Sequence, residues 1–395
     1  MKRYTTNVRL TLWLVLTAMT GTLGQAQPPA PRPIDPAIPQ TASPWYGRYP
    51  SDAIQSHPAE DKDPCVACCS PCPRVYGYAE AMFLERGNSS FDQPVLVQRE
   101  IGTPVATFLS TPDLQFDYEP AARVVLGFRL HDGWALEGGY FDLWEADATA
   151  YVAPGVPLTL PDGLGEPPAA NVWSSLSRTW VDYSSDLQSA ELNLVYCCGG
   201  CGTCGADKNG YAASGHFGVN SHSQTFEWLV GFRYLDLSEE FRIYGEKDVG
   251  DPPGIESGVY DIRTGNELYG GQLGARFRCW GQRLGFEATG KLGVFGNDAD
   301  QEQYVTDYPD SFPLRPTTTA TGGQVAFLGD LNLTAIYRLN EIWSLRAGYN
   351  LIWISGVALA PDQLDFSGEL PAGNQISSSG GVFLHGVSCG LEARW

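Results

Sequence analysis

The chain has 395 residues, and 45 acidic against 25 basic side chains give it a formal charge of −20, which excludes nucleic-acid binding driven by charge. Apolar residues at 43% can bury a core, while only 18% charged residues with 45 Gly, 19 Tyr, 17 Phe and 11 Trp suit a β-rich chain with many turns. No run of 18 apolar residues occurs, which excludes a helical membrane span.

The first element is a basic tip, Lys2-Arg3, followed by the short apolar run Leu10-Thr-Leu-Trp-Leu-Val-Leu-Thr-Ala-Met19 and the small residues around Ala26. This pattern predicts a signal peptide over 1–26, cleaved after Ala26. The exported chain then carries a net charge of −23. It also lies where cysteines can oxidise. Residues 27–64 hold ten prolines and no apolar period, so 27–74 reads as an extended periplasmic linker with a Cys cluster at its end.

From Tyr76 onward the period is two. Strands are expected at 75–86, 121–131, 134–147, 183–196, 224–236, 265–278, 284–296, 323–337, 343–355 and 381–395. Their connections alternate: 131–133, 279–283 and 338–342 are tight, whereas 87–120, 148–182, 237–264, 297–322 and 356–380 are long, and 197–223 is intermediate. In Trp343 to Trp353, one face carries Trp343, Leu345, Ala347, Tyr349, Leu351 and Trp353, and the other Ser344, Arg346, Gly348 and Asn350. Short turns on one rim and long loops on the other are the arrangement of an outer-membrane barrel. The expected fold is therefore an all-β, antiparallel transmembrane β-barrel over 75–395, of about ten strands within a range of 8 to 14.

That phase aims Glu80, Glu137, Glu191, Glu227, Glu287, Asp330 and Glu392 into the lumen with Arg123, Arg129, Arg233, Arg276, Arg278, Lys291, Arg346 and Arg394. A mid-membrane Arg or Lys on the lipid face would cost about 2 to 4 kcal/mol, so this segregation supports the phase. Seven acids and eight bases either line a polar path or pair across the lumen and fill it. The five long segments hold 23 acids against 6 bases, which predicts a cation preference set at the outer mouth.

The last strand, counted back by twos from Trp395, reads Ala393, Leu391, Cys389, Val387, His385 and Phe383. This mostly apolar face with a terminal aromatic is similar to the assembly signal of bacterial outer-membrane barrels, which makes the barrel-assembly machinery and outer-membrane lipid the expected partners. Tyr78 to Arg86, Trp228 to Leu237, Leu268 to Phe277, and Leu345 to Trp353 followed by Gly356-Val-Ala-Leu-Ala-Pro361 resemble the planctomycete-type outer-membrane beta-barrel porin family, beta barrel porin-7. The likeness covers about 75–395. It implies an outer-membrane location and carries no catalytic residue.

Eight of the ten cysteines form two groups, Cys65, Cys68, Cys69 and Cys72, then Cys197, Cys198, Cys201 and Cys204. Both groups fall on the periplasmic rim. In an exported chain disulfides are the simpler reading. The CxxC steps also suit a tetrahedral metal, to which His216 and His222 are available as ligands or as plain loop histidines. Gly386-Val-Ser-Cys-Gly390 matches the serine-nucleophile elbow in letters only, since no histidine follows it. No enzymatic activity and no cofactor are expected. Three functions stay open: a porin for small solutes or ions, a non-conducting barrel that anchors the envelope through its N-terminal segment and a periplasmic or cell-wall partner, and a secreted β-sandwich adhesin.

Overall fold

The computed structural model describes residues 74–395 apart from 89, 99–105, 132, 154, 162–163, 165–170, 199–222, 251–252, 308–311 and 368–371. The segments expected to be the signal peptide and the linker lie outside the described residues, as do Cys65, Cys68, Cys69, Cys72, Cys201, Cys204, His216 and His222.

Twelve strands occur in this part of the chain: β1 (Val75–Gly87), β2 (Pro94–Gln98), β3 (Ala106–Ser110), β4 (Tyr118–Arg129), β5 (Trp134–Val152), β6 (Arg178–Cys198), β7 (Ser223–Gly250), β8 (Pro253–Trp280), β9 (Leu284–Asp307), β10 (Phe312–Arg338), β11 (Trp343–Val357) and β12 (Gly380–Arg394). Ten of them close an antiparallel barrel in the order β1-β12-β11-β10-β9-β8-β7-β6-β5-β4, and β4 pairs back onto β1. The hairpin β2-β3 is a separate small sheet. Every expected strand is present, and the closed ring removes the sandwich alternative.

Both ends of the barrel and its tight turns share one rim. Val75 and Trp395 exchange backbone hydrogen bonds at 2.9 Å there. The β4–β5 turn closes with the Leu130 N–H donating to the Trp134 carbonyl at 2.8 Å, around Gly133 at φ +80°. Only glycine adopts that backbone without strain.

The opposite rim corrects the reading of the long segments. Residues 237–264 and 297–322 are mostly strand: β7 and β8 each run 28 residues and pair from Ser223↔Trp280 to Gly250↔Pro253. Their inward residues Leu237, Phe241, Ile243, Tyr260 and Ile262 are fully buried, and this burial continues the ladder beyond the membrane. The wall is uneven. β1, β4, β11 and β12 have 12 to 15 residues, whereas β5 through β10 have 19 to 28. β5 loses its β4 partner beyond Leu143, and β10 pairs with β11 only from Phe327. Described residues of 88–117, 153–177 and 358–379 add apolar side chains to the same buried cluster as the strands.

The outward face of the lower barrel is apolar: Leu273 is 66%, Leu292 64% and Trp228 56% exposed. The lipid-facing stretch runs from Phe226 to Tyr234 on β7 and from Tyr269 to Phe277 on β8. Each spans about nine residues, the length a tilted strand needs to cross the hydrocarbon.

Candidate functional site

The lumen brings chemistry-bearing side chains together in number, and it is filled in two layers. The lower layer is ionic. Arg276 on β8 reaches three strands across to Glu137 on β5 with a fork of 2.7 and 2.8 Å, and it also meets Glu227 at 2.9 Å. The Tyr76 hydroxyl donates to the same Glu137 at 2.6 Å. Arg346 on β11 spends its whole guanidinium on three carboxylates, Glu80 at 2.8 Å, Glu287 at 2.9 Å and Glu392 at 2.7 Å, with the Tyr78 ring 4.1 Å from its centre. Arg278 pairs with Glu287 and Arg394 with Glu392.

One step higher, Lys291 pairs with Glu191 at 2.5 Å and Arg233 with Asp330 at 3.1 Å. Arg123 donates to Asn350 at 3.0 Å and lies 3.8 Å from Asp330. Fourteen of the fifteen predicted lumen charges therefore meet across or along the lumen. The fifteenth, Arg129, packs over the Tyr76 ring at 5.3 Å. Every one has the inward phase that the alternation gives it. These contacts are ion pairs of the kind the pairing alternative describes.

The upper layer is apolar. Met82, Leu84, Phe141, Leu143, Leu235, Leu268, Phe295, Leu328, Ile352 and Leu384 form one buried cluster with Val95, Leu96, Leu109 and Leu114 around the β2-β3 hairpin, Leu158 and Trp173 from the β5–β6 connection, and Leu359 and Leu364 from 358–379. One ion pair is enclosed in it. Arg86 and Glu239 bond directly, Tyr183 bridges them at 2.8 and 2.9 Å, and the Ala360 N–H donates to Glu239 at 3.0 Å.

Side chains of the tall strands grip the backbone of the loop after β11. Asn266 clasps both backbone groups of Ala358 at 2.9 and 2.7 Å. Asn297 donates to the Gly356 carbonyl at 3.0 Å, Gln303 to Gln363 at 2.7 Å, Gln301 to Gly373 at 3.1 Å, and Arg315 to Asp365 at 3.0 Å. Trp173 donates to the Thr306 carbonyl at 2.9 Å. The bonds to Ala358, Gln363, Asp365 and Gly373 satisfy loop backbone that would otherwise be stranded inside the barrel. Asp362, only 8% exposed, accepts the Phe91 N–H at 2.7 Å and so ties the segment after β1 to the loop after β11. Burial pushes its carboxyl up to about 6.

Part of the acidic surplus sits on strand instead of in a loop. Asp298, Asp300 and Glu302 of the expected long segment 297–322 stand on the outward side of the tall wall, beside Asp186, Asp236 and Glu267 of the expected strands, because strand replaces the expected loop there and alternation turns these positions away from the axis.

Of the cysteines, Cys197 is the penultimate residue of β6, buried, with its N–H donating to the Gly133 carbonyl at 3.0 Å. The backbone of Cys198 is in β6. Ser388 faces the lumen as its phase requires, 5% exposed, while His385 lies on the opposite face of β12 beside Tyr349. No group of three His, Cys, Asp or Glu side chains converges as a metal site among the described residues.

A closed antiparallel ring with an outward apolar band and an inward polar face defines a transmembrane β-barrel. The chain belongs to the family described as "Putative beta barrel porin-7", whose model matches residues 95–395. No curated protein matches it in sequence. Among solved structures it is similar to the outer membrane protease OmpT from Escherichia coli, at 8% identity and a TM-score of 0.42 over 81% of this chain and 96% of that one. It is also similar to the translocator domain of autotransporter NalP from Neisseria meningitidis, at 8% and 0.23 over 84% and 91%. A mutant of the TodX monoaromatic hydrocarbon channel gives 9% and 0.23 over 82% and 91%.

Proposed function

We propose that this chain is a closed outer-membrane barrel that does not conduct in its resting state and serves to anchor the envelope. The observation that carries this reading is the pair of seals in series: an ionic layer bonded across the lumen and an apolar layer whose loop is gripped through its backbone. A pore needs a continuous wet path, and both layers would have to move to open one. Export by residues 1–26, and attachment to a periplasmic or cell-wall partner through residues 27–74, belong to the same reading. The two termini of the barrel support it by sharing the short-turn rim.

The family description favours a second reading, a porin for small solutes or ions. Planar-bilayer recording of the purified full chain separates the two. Silence is expected at all voltages. Steady unitary steps in the unmodified protein would overturn the resting-closed reading in favour of the porin. The anchoring part is tested by sedimentation with a cell-wall fraction, which the full chain should follow and a chain lacking residues 27–74 should not.

A further inference from the structure

The lipid-facing side of the barrel is uneven in one place. An open apolar groove of about 1020 Å³ lies across β5 to β11, walled by Trp134, Trp228, Leu273, Leu292, Phe327 and Trp353. Its floor includes Gly271 and Gly290. A Cβ added at these two glycines would meet nothing closer than 4.0 and 3.9 Å respectively. Neighbouring Gly274 and Gly293, which point inward, would clash at 2.7 and 2.5 Å. Packing therefore explains the inward glycines and leaves the groove glycines without a steric reason.

The same strands carry a row of acids above the groove. Asp236, Glu267 and Asp298 are direct register partners across β7, β8 and β9, all on the outward face. They follow the interfacial Tyr234 and Tyr269, and Glu267 stands four residues from Gly271, about 14 Å along the strand. None of the three has an Arg or Lys within ion-pair distance among the described residues. Asp236 accepts from the Ser238 hydroxyl at 3.4 Å and Asp298 from the Tyr269 hydroxyl at 3.3 Å. Like charges directly opposite one another destabilise a sheet.

Taken with the transmembrane reading on which it rests, we infer that this groove is a binding site for an amine-headed phospholipid, with an acyl chain lying over Gly271 and Gly290 and the ammonium group among Asp236, Glu267 and Asp298. Charge decides the occupant. A second copy packed symmetrically on the groove would bring two acidic rows together, and an anionic lipid would meet the same repulsion. An amine-headed lipid supplies the apolar tail and the positive end at the spacing the strands set.

The test uses the full chain in phosphatidylglycerol vesicles containing a small fraction of phosphatidylethanolamine with brominated acyl chains, which quench nearby indoles. Brominated phosphatidylethanolamine should quench more than brominated phosphatidylglycerol at equal fraction, by about fivefold enrichment at the groove, as one interfacial charge interaction allows. The excess should vanish in D236N/E267Q/D298N, in G271L/G290L, which fills the groove, and in W134F/W228F/W353F, which removes the indoles lining it. Equal quenching by the two lipids would overturn the site, as would an excess that survives the acid substitutions. Preference for the anionic lipid on adding calcium would replace the amine by a bridged phosphate and overturn the assignment. Heat-modifiable mobility on gels reads the barrel separately. Its loss in the unmodified chain would overturn the barrel and the site together, whereas its retention with equal quenching would overturn the site alone.

Discussion

Arg346 is the residue on which the ionic layer depends most, and replacing it by methionine is the sharpest perturbation of the lumen. The guanidinium is 1% exposed and bonds Glu80, Glu287 and Glu392 within 2.9 Å. Its loss leaves the three carboxylates unequally placed. Glu287 keeps Arg278, and Glu392 keeps Arg394, but Glu80 retains only Arg123 at 4.0 Å. Removing one partner of a buried pair costs about 3 to 5 kcal/mol, most of it the uncompensated charge. R346M should lose that much stability, and E80Q/R346M should recover about 1 to 3 kcal/mol of it, because the stranded carboxylate is then neutral. Urea titration of the chain folded into vesicles, followed by tryptophan fluorescence, measures both. The reasoning is refuted if R346M lies within about 0.5 kcal/mol of the parent, as a surface change would, or if the double variant is no more stable than the single one. R346M should also stay silent in bilayers, because the apolar layer above it is untouched.

Shortening the loop after β11 by removing 359–378 should leave the barrel silent too, whereas the same deletion combined with R346M and R276M should conduct; currents from the loop deletion alone would show that the ionic layer is no seal. Asp362 titrates higher in the folded chain than its ordinary value, so the stability it lends the loop contact is full below about pH 4 and is lost as pH rises through about 6. Hydrogen exchange at Phe91 should accordingly be faster at pH 7.5 than at pH 5 after correction for the intrinsic rate, and D362N should flatten the difference. An epitope placed between Gly250 and Pro253 should label on intact cells and one at Gly210 should not; the reverse pattern would invert the orientation. Non-reducing mass spectrometry should find Cys65 to Cys72 and Cys197 to Cys204 in disulfides, and free thiols that take up zinc would favour the metal reading.

Much of the barrel was legible because alternation is a local property. Trp343 to Trp353 reads directly as one lipid face and one lumen face, and the inward phase of Arg276, Glu287 and Arg346 follows from the same count. Their partnership does not. Arg276 and Glu137 are far apart in sequence and meet only because the ring brings β8 opposite β5. The apolar layer left a readable trace in Leu351-Ile352-Trp353-Ile354, where both faces are greasy, since an inward isoleucine needs a dry interior. The tall wall left another trace in Asn297, Gln301 and Gln303, whose inward amides keep the period beyond the lipid band. Acidic composition masked it, because Asp298, Asp300 and Glu302 make the segment look like a surface loop. The grip on Gly356, Ala358 and Gln363 uses backbone acceptors and donors, which no side-chain pattern announces.

The uneven wall also bears on how the ring comes to be closed. β7 and β8 pair along their whole length through a two-residue connection, so their hydrogen bonds form between near neighbours in the chain. The seam between β1 and β12, from Tyr76↔Arg394 to Gly87↔Phe383, joins the two ends of the barrel sequence and involves two of its shortest strands. Local pairings are reached quickly and distant ones slowly. The tall hairpins are thus suited to zip first and carry most of the ladder, leaving the short seam as the last and least costly join. Trp395, which clasps Val75 at the foot of that seam, sits where closure begins, so its removal would slow ring closure while leaving the hairpins to form at their own pace.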